Sequence, residues 1–269
     1  IINKSTFESL SFLLPPLPEQ KAIANILSSF DEKIELLREQ NETLETLAQT
    51  IFKEWFVNFN YPDATGEMVD SEFGEIPKGW TVGKLGDIAS LKSGYAFKSK
   101  DFVAFSESKA LKIKDLKGCG KVDLKNVSSI TNKIKNLDRV QYFKLNAGDI
   151  VLAMSGNTTG KIGVIPEHAD ELYLNQRVGK FFVKEEQYNN FLYVFLMSGN
   201  YEESILNMGY GSAQPNISPS QIENINIIFP DNKVFNSFID VIKSIFKKNR
   251  NNTSQIQTLT KTRDTLLPK

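Results

Sequence analysis

The chain has few of the residues on which disulfide-bonded and zinc proteins depend. Its 269 residues include one cysteine, Cys119, and one histidine, His168. A single cysteine excludes an internal disulfide and fits a reducing compartment, and one cysteine with one histidine cannot build a zinc site or a Cys–His pair. No apolar run approaches the roughly 18 residues of a membrane span, and no basic and then apolar leader is present. We therefore expect a cytoplasmic globular protein that binds no metal.

The net charge is zero, but it is made of two opposed segments. Residues 15–77 hold 13 acidic and 4 basic residues, a net charge of −9, whereas residues 78–144 hold 15 basic and 6 acidic residues, a net charge of +9. Such asymmetry indicates a basic face for a polyanion and an acidic element elsewhere. A solvated, lysine-rich surface is the alternative interpretation of the basic segment.

A long helix is predicted after Pro18, because neither Pro nor Gly follows for forty residues. Apolar residues recur there with the 4,3 spacing of a heptad seam, which Asn41 interrupts once. About 40 helical residues span roughly 60 Å at 1.5 Å per residue, more than a small domain can cover. The helix therefore requires a partner helix.

The partner is predicted later in the same chain. Residues 8–15 (ESLSFLLP) resemble residues 223–230 (ENINIIFP) at an offset of 215, and the helices that follow correspond at an offset of 212. At that offset Asn41 corresponds to Thr253, and the two facing each other would favour one register. Asn249 and Arg263 weaken the seam of the later helix. Two half-molecules are indicated; unrelated amphipathic helices with a chance likeness are the alternative.

Between the helices, short apolar runs separated by Gly, Asn, Asp and Ser predict a mixed α+β domain with many short strands. The domain follows a connector at residues 61–79. One helix is expected at Asn189–Met208, and Lys84–Ala89 begins a helix or a tight turn. The candidate strands are residues 10–14, Ala110–Ile113, Asp149–Met154, Lys161–Ile165, Gly179–Val183 and Ile222–Phe229.

Three loops and one short segment carry residues suited to nucleic acid. They are residues 93–100 (SGYAFKSK), 155–161 (SGNTTGK), 209–215 (GYGSAQP) and 175–177 (NQR). Lysines suit phosphates, aromatic rings can lie against sugars and bases, and side-chain amides suit base edges. Each loop alone is as readily an ordinary surface turn. Their occurrence together in one basic domain favours nucleic-acid binding.

No catalytic pattern is found. The segment from Gly156 to Lys161 is one residue short of a phosphate-binding P-loop, and Ile162 stands where Ser or Thr must hold magnesium. Asp87, Asp101 and Asp149 show no paired spacing for acid–base work and are explained as cap or turn residues. No cofactor fingerprint is present, so we expect any catalysis to belong to a partner.

The chain resembles the specificity (S) subunits of type I restriction–modification enzymes over nearly its whole length. The resemblance lies in LPPLPEQKAIANIL at the start of the first long helix, in Glu75-Ile-Pro-Lys-Gly-Trp80 with Lys84-Leu-Gly-Asp-Ile-Ala89, in Ser93-Gly94, and in the segment from Gly148 to Gly156. It implies two target recognition domains, each reading half of a bipartite duplex, and two conserved helices that pack antiparallel as a coiled-coil spacer. It also implies docking of methyltransferase subunits and, in the full complex, of motor-nuclease subunits.

Applied to this sequence, the family order gives residues 1–14 as the tail of a preceding recognition domain and 15–59 as the central helix. Residues 60–229 form a recognition domain, and residues 230–269 form the distal helix. The first recognition domain is absent. Because the chain begins Ile-Ile-Asn without Met, we expect either a fragment of a longer protein or a half-sized subunit that forms a homodimer. The resemblance implies a non-catalytic chain without cofactors of its own, with S-adenosylmethionine, ATP and magnesium on partner subunits.

These considerations predict two sets of functional residues. The candidates for DNA contact are Tyr95, Lys98, Lys100, Lys112, Lys114, Asn157, Thr158, Lys161, Gln176, Arg177, Tyr210, Ser212 and Gln214. The candidates for helix packing are Ile23, Leu27, Phe30, Ile34, Leu37, Asn41, Leu44, Ile51, Trp55, Phe235, Ile239, Ile242, Phe246, Ile256 and Leu259. The alternative function is that of a coiled-coil scaffold or adaptor without sequence-specific DNA binding.

Overall fold

A computed structural model of the chain describes residues 3–9, 14–198, 201, 205 and 216–267. The chain divides into two compact units, residues 1–46 with 245–269 and residues 47–244. The described helices are α1 (Lys4–Glu8), α2 (Leu17–Phe52), α3 (Asn132–Lys135), α4 (Asp138–Gln141), α5 (Tyr188–Met197), α6 (Pro219–Glu223) and α7 (Asn232–Leu266).

All of the described strands belong to the unit of residues 47–244. They are β1 (Met68–Ser71), β2 (Gly74–Pro77), β3 (Thr81–Lys84), β4 (Ala89–Ser93), β5 (Ser108–Leu111), β6 (Leu116–Gly118), β7 (Lys121–Val122), β8 (Ser128–Ser129), β9 (Lys144–Leu145), β10 (Ile150–Ala153), β11 (Ile162–Val164), β12 (Glu171–Leu174), β13 (Val178–Val183) and β14 (Asn226–Phe229). The mixed α+β class with many short strands and two long helices is confirmed.

Local hydrogen bonds fix the start of α2, and a change of backbone conformation ends it. At the start, the Gln20 side chain donates to the Pro15 carbonyl (2.7 Å) and the Glu19 amide donates to the Pro16 carbonyl (2.9 Å). After Phe52 the helix continues as one wider π-helical turn, Lys53–Val57. It stops where Phe59 takes a left-handed backbone conformation with φ of 58°, which an L-residue adopts only at a cost.

Helices α2 and α7 pack antiparallel in the unit of residues 1–46 and 245–269. The Asn41 amide donates to the Thr253 hydroxyl (3.3 Å), and the Arg263 guanidinium donates to Asp31 (2.7 Å). The partner's number rises as the α2 number falls, which defines the antiparallel direction. The predicted facing of Asn41 and Thr253 is therefore observed.

Burial along the predicted seam varies with position. Ile34, Leu37, Phe235, Ile239 and Ile242 are buried, and Leu27, Phe30, Asn41, Leu44, Ile51, Trp55, Phe246, Ile256 and Leu259 are partly buried. Ile23 is 47% exposed, so the packing predicted for it is not formed. Asp31 contacts Arg263, and Arg263 lies only three residues before the end of α7. The first turns of α2 therefore have no described α7 residue opposite them.

Two four-stranded sheets form the centre of the unit of residues 47–244. One has the order β11-β10-β13-β4 with all neighbours antiparallel, and the other has the order β8-β5-β12-β9, in which only β5 and β12 are parallel. One core cluster contains Leu111, Leu116, Leu145, Val151, Ala153, Ile165, Leu172, Leu174 and Val178. Because β10 contributes four successive buried residues, it reads in the sequence as an unbroken apolar run.

Aromatic side chains from three helices form a further part of this unit's core. The Phe56 ring contacts the rings of Phe191 (5.4 Å), Phe238 (4.7 Å) and Trp80 (5.6 Å). These residues come from the π-helical turn after α2, from α5, from the beginning of α7 and from the residue before β3. Such ring pairs add about 0.5–1.5 kcal/mol beyond the area that they bury.

Several strand and helix predictions need correction. Of the predicted strand Ile222–Phe229, the first two residues belong to α6 and only Asn226–Phe229 form a strand, β14. The helix forms because Ser218 caps it, Pro219 is its first residue and Gln221 completes a capping box. The predicted helix Asn189–Met208 begins one residue earlier, as α5, which ends at Met197, where Ser198 is extended. Of the rest of the predicted range, Tyr201 and Ile205 are helical, and residues 199–200, 202–204 and 206–208 lie outside the described residues. The predicted strand at residues 10–14 lies, except for Leu14, outside the described residues.

The internal repeat extends one element further than the sequence indicated. Helices α1 and α6 correspond at the same offset of 215, and so do their caps. The Asn3 side chain accepts from the Thr6 amide (2.8 Å), as the Ser218 hydroxyl accepts from the Gln221 amide (3.3 Å). In each half a capped helix of one turn therefore precedes the long helix.

Candidate nucleic-acid interface

The predicted loops converge because strand ends meet at one edge of the two sheets. In the parallel pair β5 and β12 the carboxyl ends lie side by side, and the Asn175 amide donates to the Leu111 carbonyl (3.1 Å). Strands β4 and β10 run antiparallel to β13, so their carboxyl ends flank its amino end. The loops after β4, β5, β10 and β12 consequently share this edge.

Backbone hydrogen bonds join the loops across the edge. The Tyr95 amide donates to the Leu174 carbonyl (2.8 Å), and the Gln176 amide donates to the Tyr95 carbonyl (3.0 Å). The Met154 amide donates to the Arg177 carbonyl (3.0 Å). Residues 93–97, 154–159 and 175–177, which are far apart in sequence, therefore form one continuous surface, the converged edge.

Gly94 allows two of these loops to meet. A Cβ atom at this position would lie 2.3 Å from the Leu174 carbonyl oxygen and 2.6 Å from the Asn175 carbonyl oxygen. Both oxygens belong to the backbone and cannot turn away. The glycine of the predicted Ser-Gly motif is required by close approach of two chains.

The loop after β10 forms a short 3₁₀ turn, Gly156–Thr158, with Asn157 exposed at its surface. Gly156 has φ of +76°, and the position of a Cβ on it lies 3.4 Å from Ile113, so the turn rests against the segment after β5. The Ser155 and Thr158 hydroxyl oxygens are buried and have no hydrogen-bond partner in the described part of the chain. Such groups lie where a ligand atom or water would satisfy them.

The last of the predicted loops adjoins the same edge at its end. Asn216 forms an isolated bridge with Ser155, and the Ile217 amide donates to the Met154 carbonyl (2.9 Å). The predicted contact residues Tyr210, Ser212 and Gln214 lie outside the described residues.

The predicted cations differ in availability. Lys98, Lys100 and Arg177 are exposed, as is the amide residue Gln176. Lys114 is exposed and its ammonium group donates to the Asn126 carbonyl (3.4 Å). These side chains leave a positive rim beside the loops, with reach toward phosphates.

Lys112 and Lys161 are less free than predicted. The Lys112 ammonium nitrogen lies 3.6 Å from the centre of the Phe102 ring, and burial, with the nearby charge of Lys114, lowers its pKa. The aliphatic part of Lys161 packs about Gly118, 3.6 Å from where a Cβ would lie there. We therefore assign Lys112 chiefly to packing by a cation–π contact.

The Tyr95 ring is partly buried against a cluster that includes Phe97 and Tyr173. It meets the Phe97 ring edge to face at 4.9 Å, and the Arg139 guanidinium lies over it at 5.6 Å. Its ring therefore holds the loop in place and positions Arg139. Sequence reasoning missed Arg139, because only the fold brings this exposed residue, 44 positions away, to Tyr95.

A Lys-x-x-Asp turn in which the aspartate accepts the lysine amide occurs three times among the described residues of the unit of residues 47–244. The Asp87, Asp101 and Asp115 carboxylates accept the amides of Lys84 (2.7 Å), Lys98 (2.7 Å) and Lys112 (2.8 Å), respectively. The prediction that Asp87 and Asp101 are cap or turn residues is confirmed, and Asp149 likewise accepts the Asn146 amide (2.8 Å). Burial raises the pKa of Asp115, although the Lys112 amide opposes that rise.

Neither a metal-binding cluster nor a membrane-spanning helix occurs among the described residues. Over residues 3–9, 14–198, 201, 205 and 216–267, no group of three or more His, Cys, Asp or Glu side chains is arranged to hold a metal ion. Within the same described ranges, no helix is long and apolar enough to cross a membrane.

Comparison with known protein families decides the chain's membership. The family model described as the type I restriction modification DNA specificity domain matches residues 1–46 and 77–261. The chain belongs to this family. Most of both long helices and most of the unit of residues 47–244, the sheet-bearing unit, fall within the matched residues.

Specificity subunits are also found among individual relatives. The chain is 34% identical over 248 residues to the type I restriction enzyme MjaVIII specificity subunit and 31% identical over 277 residues to the MjaIX specificity subunit, both of Methanocaldococcus jannaschii. The alignments cover 91% and 100% of this chain but only 57% and 61% of those relatives.

The fold has a solved counterpart. The S subunit of the type I restriction–modification system from M. genitalium superposes with a TM-score of 0.55 at 18% identity, over 93% of this chain and 60% of that subunit. This likeness establishes the fold of the specificity domain family for the chain.

Proposed function

We propose that this chain is a DNA-recognition part of a type I restriction–modification specificity subunit and reads half of a bipartite duplex target. The observation that carries the proposal is the converged edge, where three segments from distant parts of a specificity-domain sequence form one surface with exposed amides and with exposed cations in it and beside it. Membership of the family supports it. The chain itself performs no chemistry in this proposal.

Two kinds of side chain have different tasks in the converged edge and in the positive rim beside it. Lys98, Lys100 and Lys114 contact phosphates and supply the salt-sensitive part of affinity. Asn157 and Gln176 are exposed amides that read base edges in the major groove. Phosphate contacts position the protein, whereas base contacts discriminate between sequences.

The antiparallel helices serve as the spacer that sets the gap between half-sites, and methyltransferase subunits dock on the chain. S-adenosylmethionine, ATP and magnesium act on the partner subunits. The polar contacts of Asn41 and Asn252 support the spacer role, because buried polar groups in a helix pair favour one alignment over its slipped alternatives.

The second half-site requires a second recognition domain, and exposed apolar residues in the first half of the chain support its packing there. At the offset of 215, Phe7 (69% exposed) corresponds to Ile222 (0%). At the offset of 212, Ile26 (54%) corresponds to Phe238 (0%). In the second half of the chain, Ile222 and Phe238 are buried within the unit of residues 47–244. We infer that a recognition domain of the same type covers Phe7 and Ile26. This domain is supplied by a homodimer partner or by adjoining sequence of a longer polypeptide.

The proposal is tested by selecting bound duplexes from a randomised pool, with the chain co-expressed with its cognate methyltransferase subunit, at two salt concentrations. A split motif with a fixed gap is expected, and a palindromic motif would identify the homodimer. If the bound duplexes share no motif and binding disappears at the higher salt concentration, sequence recognition is contradicted and the scaffold function remains.

Substitutions sharpen this test. Gln176→Ala should relax preference at one base position and cost about 1–3 kcal/mol, whereas Lys100→Ala should weaken all sequences alike. Lys184→Ala is the matched control, since Lys184 is exposed and follows β13 at the end of that strand away from the converged edge. Equal behaviour of all three variants would contradict the assignment of the edge.

A further inference from the structure

The hairpin of β1 and β2 exposes apolar side chains on a sheet of only two strands. Phe73 at its turn is 48% exposed, and Met68 and Val69 are 38% and 39% exposed. Of its strand residues, only Ile76 and Pro77 are buried. A two-stranded hairpin is marginally stable alone, and its open strand edges and exposed apolar area suit coverage by another protein.

The charge on this hairpin is acidic. Residues 67–77 contain four carboxylates and no basic residue. Glu67 is paired with Lys78 (2.9 Å), but Asp70, Glu72 and Glu75 have no lysine or arginine within ion-pair distance in the described part of the chain. Asp70 and Glu75 are direct cross-strand partners, and like charges directly opposite each other destabilise a hairpin.

The charge and the position of the hairpin exclude the DNA backbone as the partner that covers it. Three unpaired carboxylates repel phosphates, and the converged edge that carries the cations lies at the carboxyl end of β4. The hairpin leads into β3, which is followed by the Leu85–Asp87 turn at the amino end of β4. A protein surface that is basic and partly apolar would neutralise the carboxylates and cover Phe73.

We propose that residues 67–77, the acidic hairpin, dock onto a basic and partly apolar surface of the methyltransferase subunit. The inference rests on the proposed function, which names that subunit as the protein partner. The carboxylates steer association and the exposed apolar residues slow dissociation. Complementary charge acts mainly on the association rate, whereas buried apolar contacts act mainly on the dissociation rate.

The test measures association and dissociation of the purified full chain and the methyltransferase subunit at low and high salt. A neutral variant combines Asp70→Asn, Glu72→Gln and Glu75→Gln, and a second variant is Phe73→Ser. The first should lower the association rate on the order of tenfold at low salt and much less at high salt. The second should raise the dissociation rate with little change in salt dependence.

The control carries the exposed substitutions Glu107→Gln and Glu186→Gln, which change charge elsewhere in the same unit and should leave both rates unchanged. Thermal unfolding of the neutral variant should give an unchanged or higher midpoint, because the repulsion between positions 70 and 75 is removed. A loss of docking in this variant therefore cannot be attributed to misfolding.

The outcomes separate this inference from the proposed function. Wild-type rates and wild-type salt dependence in the neutral variant would overturn the docking role of the hairpin while DNA selection stands. No binding of the subunit by the wild-type chain would overturn both docking statements. Hairpin-dependent docking by a chain that selects no DNA motif would support the hairpin and contradict only the recognition role.

Discussion

Asn252 offers a direct test of how the helix pair is stabilised. Its side chain is fully buried in α7, and its amide donates to the side-chain oxygens of Asn41 (3.0 Å) and Gln40 (3.3 Å). Its own oxygen has no partner among the residues that the structure describes. A half-satisfied polar group in a buried position makes the site a candidate for stabilisation by an apolar residue.

The expected effect of Asn252→Leu follows from three terms. Loss of two hydrogen bonds costs about 1–3 kcal/mol in total, while removal of an unsatisfied buried oxygen returns about 1–3 kcal/mol. Burying a leucine side chain contributes about 1.5–3 kcal/mol. The free energy of unfolding should therefore rise by roughly 1–3 kcal/mol, the low end allowing for imperfect packing.

Asn252→Ala supplies the contrast, because it removes the hydrogen bonds without filling the space. The leucine and alanine variants should differ by about 2–5 kcal/mol, as core Leu-to-Ala pairs do. Urea unfolding followed by circular dichroism at the helix band measures this difference. The only tryptophans, Trp55 and Trp80, lie in the unit of residues 47–244, so their fluorescence follows that unit separately. A leucine variant less stable than wild type would refute the reasoning.

Three further predictions concern the sheet-bearing unit. Gly94→Ala should lower the thermal midpoint and abolish the selected DNA motif, because the new methyl group meets backbone carbonyls; an unchanged motif would contradict the role of the close approach. Lys100→Ala should reduce the slope of log affinity against log salt by about 1, whereas Lys112→Ala should change it less and reduce stability instead, because that lysine packs on a ring. Burial raises the pKa of Asp115, so the folded state holds its proton to higher pH than the unfolded state. The stability of wild type relative to Asp115→Asn should therefore fall as pH rises from the ordinary aspartate pKa to the raised one, and a flat difference in urea unfolding would contradict this.

Local patterns identified the elements whose determinants are local. The strand β10 followed from the run Ile150 to Ala153, and α2 followed from its heptad seam and the lack of Gly and Pro. The start of α6 was also readable, since Ser218-Pro219-Ser-Gln221 is a capping box, but the apolar residues after it favoured a strand. The strand β12 was overlooked although Leu172, Tyr173 and Leu174 form a short apolar run.

Other features depend on long-range pairing and were not accessible from local patterns. Nothing near Lys112 in the sequence shows that its ammonium group lies over the Phe102 ring. Likewise, nothing near Tyr95 shows that the Arg139 guanidinium lies over the Tyr95 ring. The seam through Ile23 predicts an apolar face but not where the opposite helix ends. Convergence of the predicted loops required the parallel pairing of β5 with β12, which no spacing in the sequence specifies.

The pairing of α2 with α7 also has a consequence for the order of folding. Asn41 and Thr253, which touch, are separated by 212 positions along the chain, and bringing such distant segments together carries a large loop-closure entropy. The intervening sheets, which close shorter loops, shorten the effective tether once they have formed. The helix pair should therefore assemble last during refolding, with tryptophan fluorescence of the sheet-bearing unit recovering before the final gain of helical dichroism.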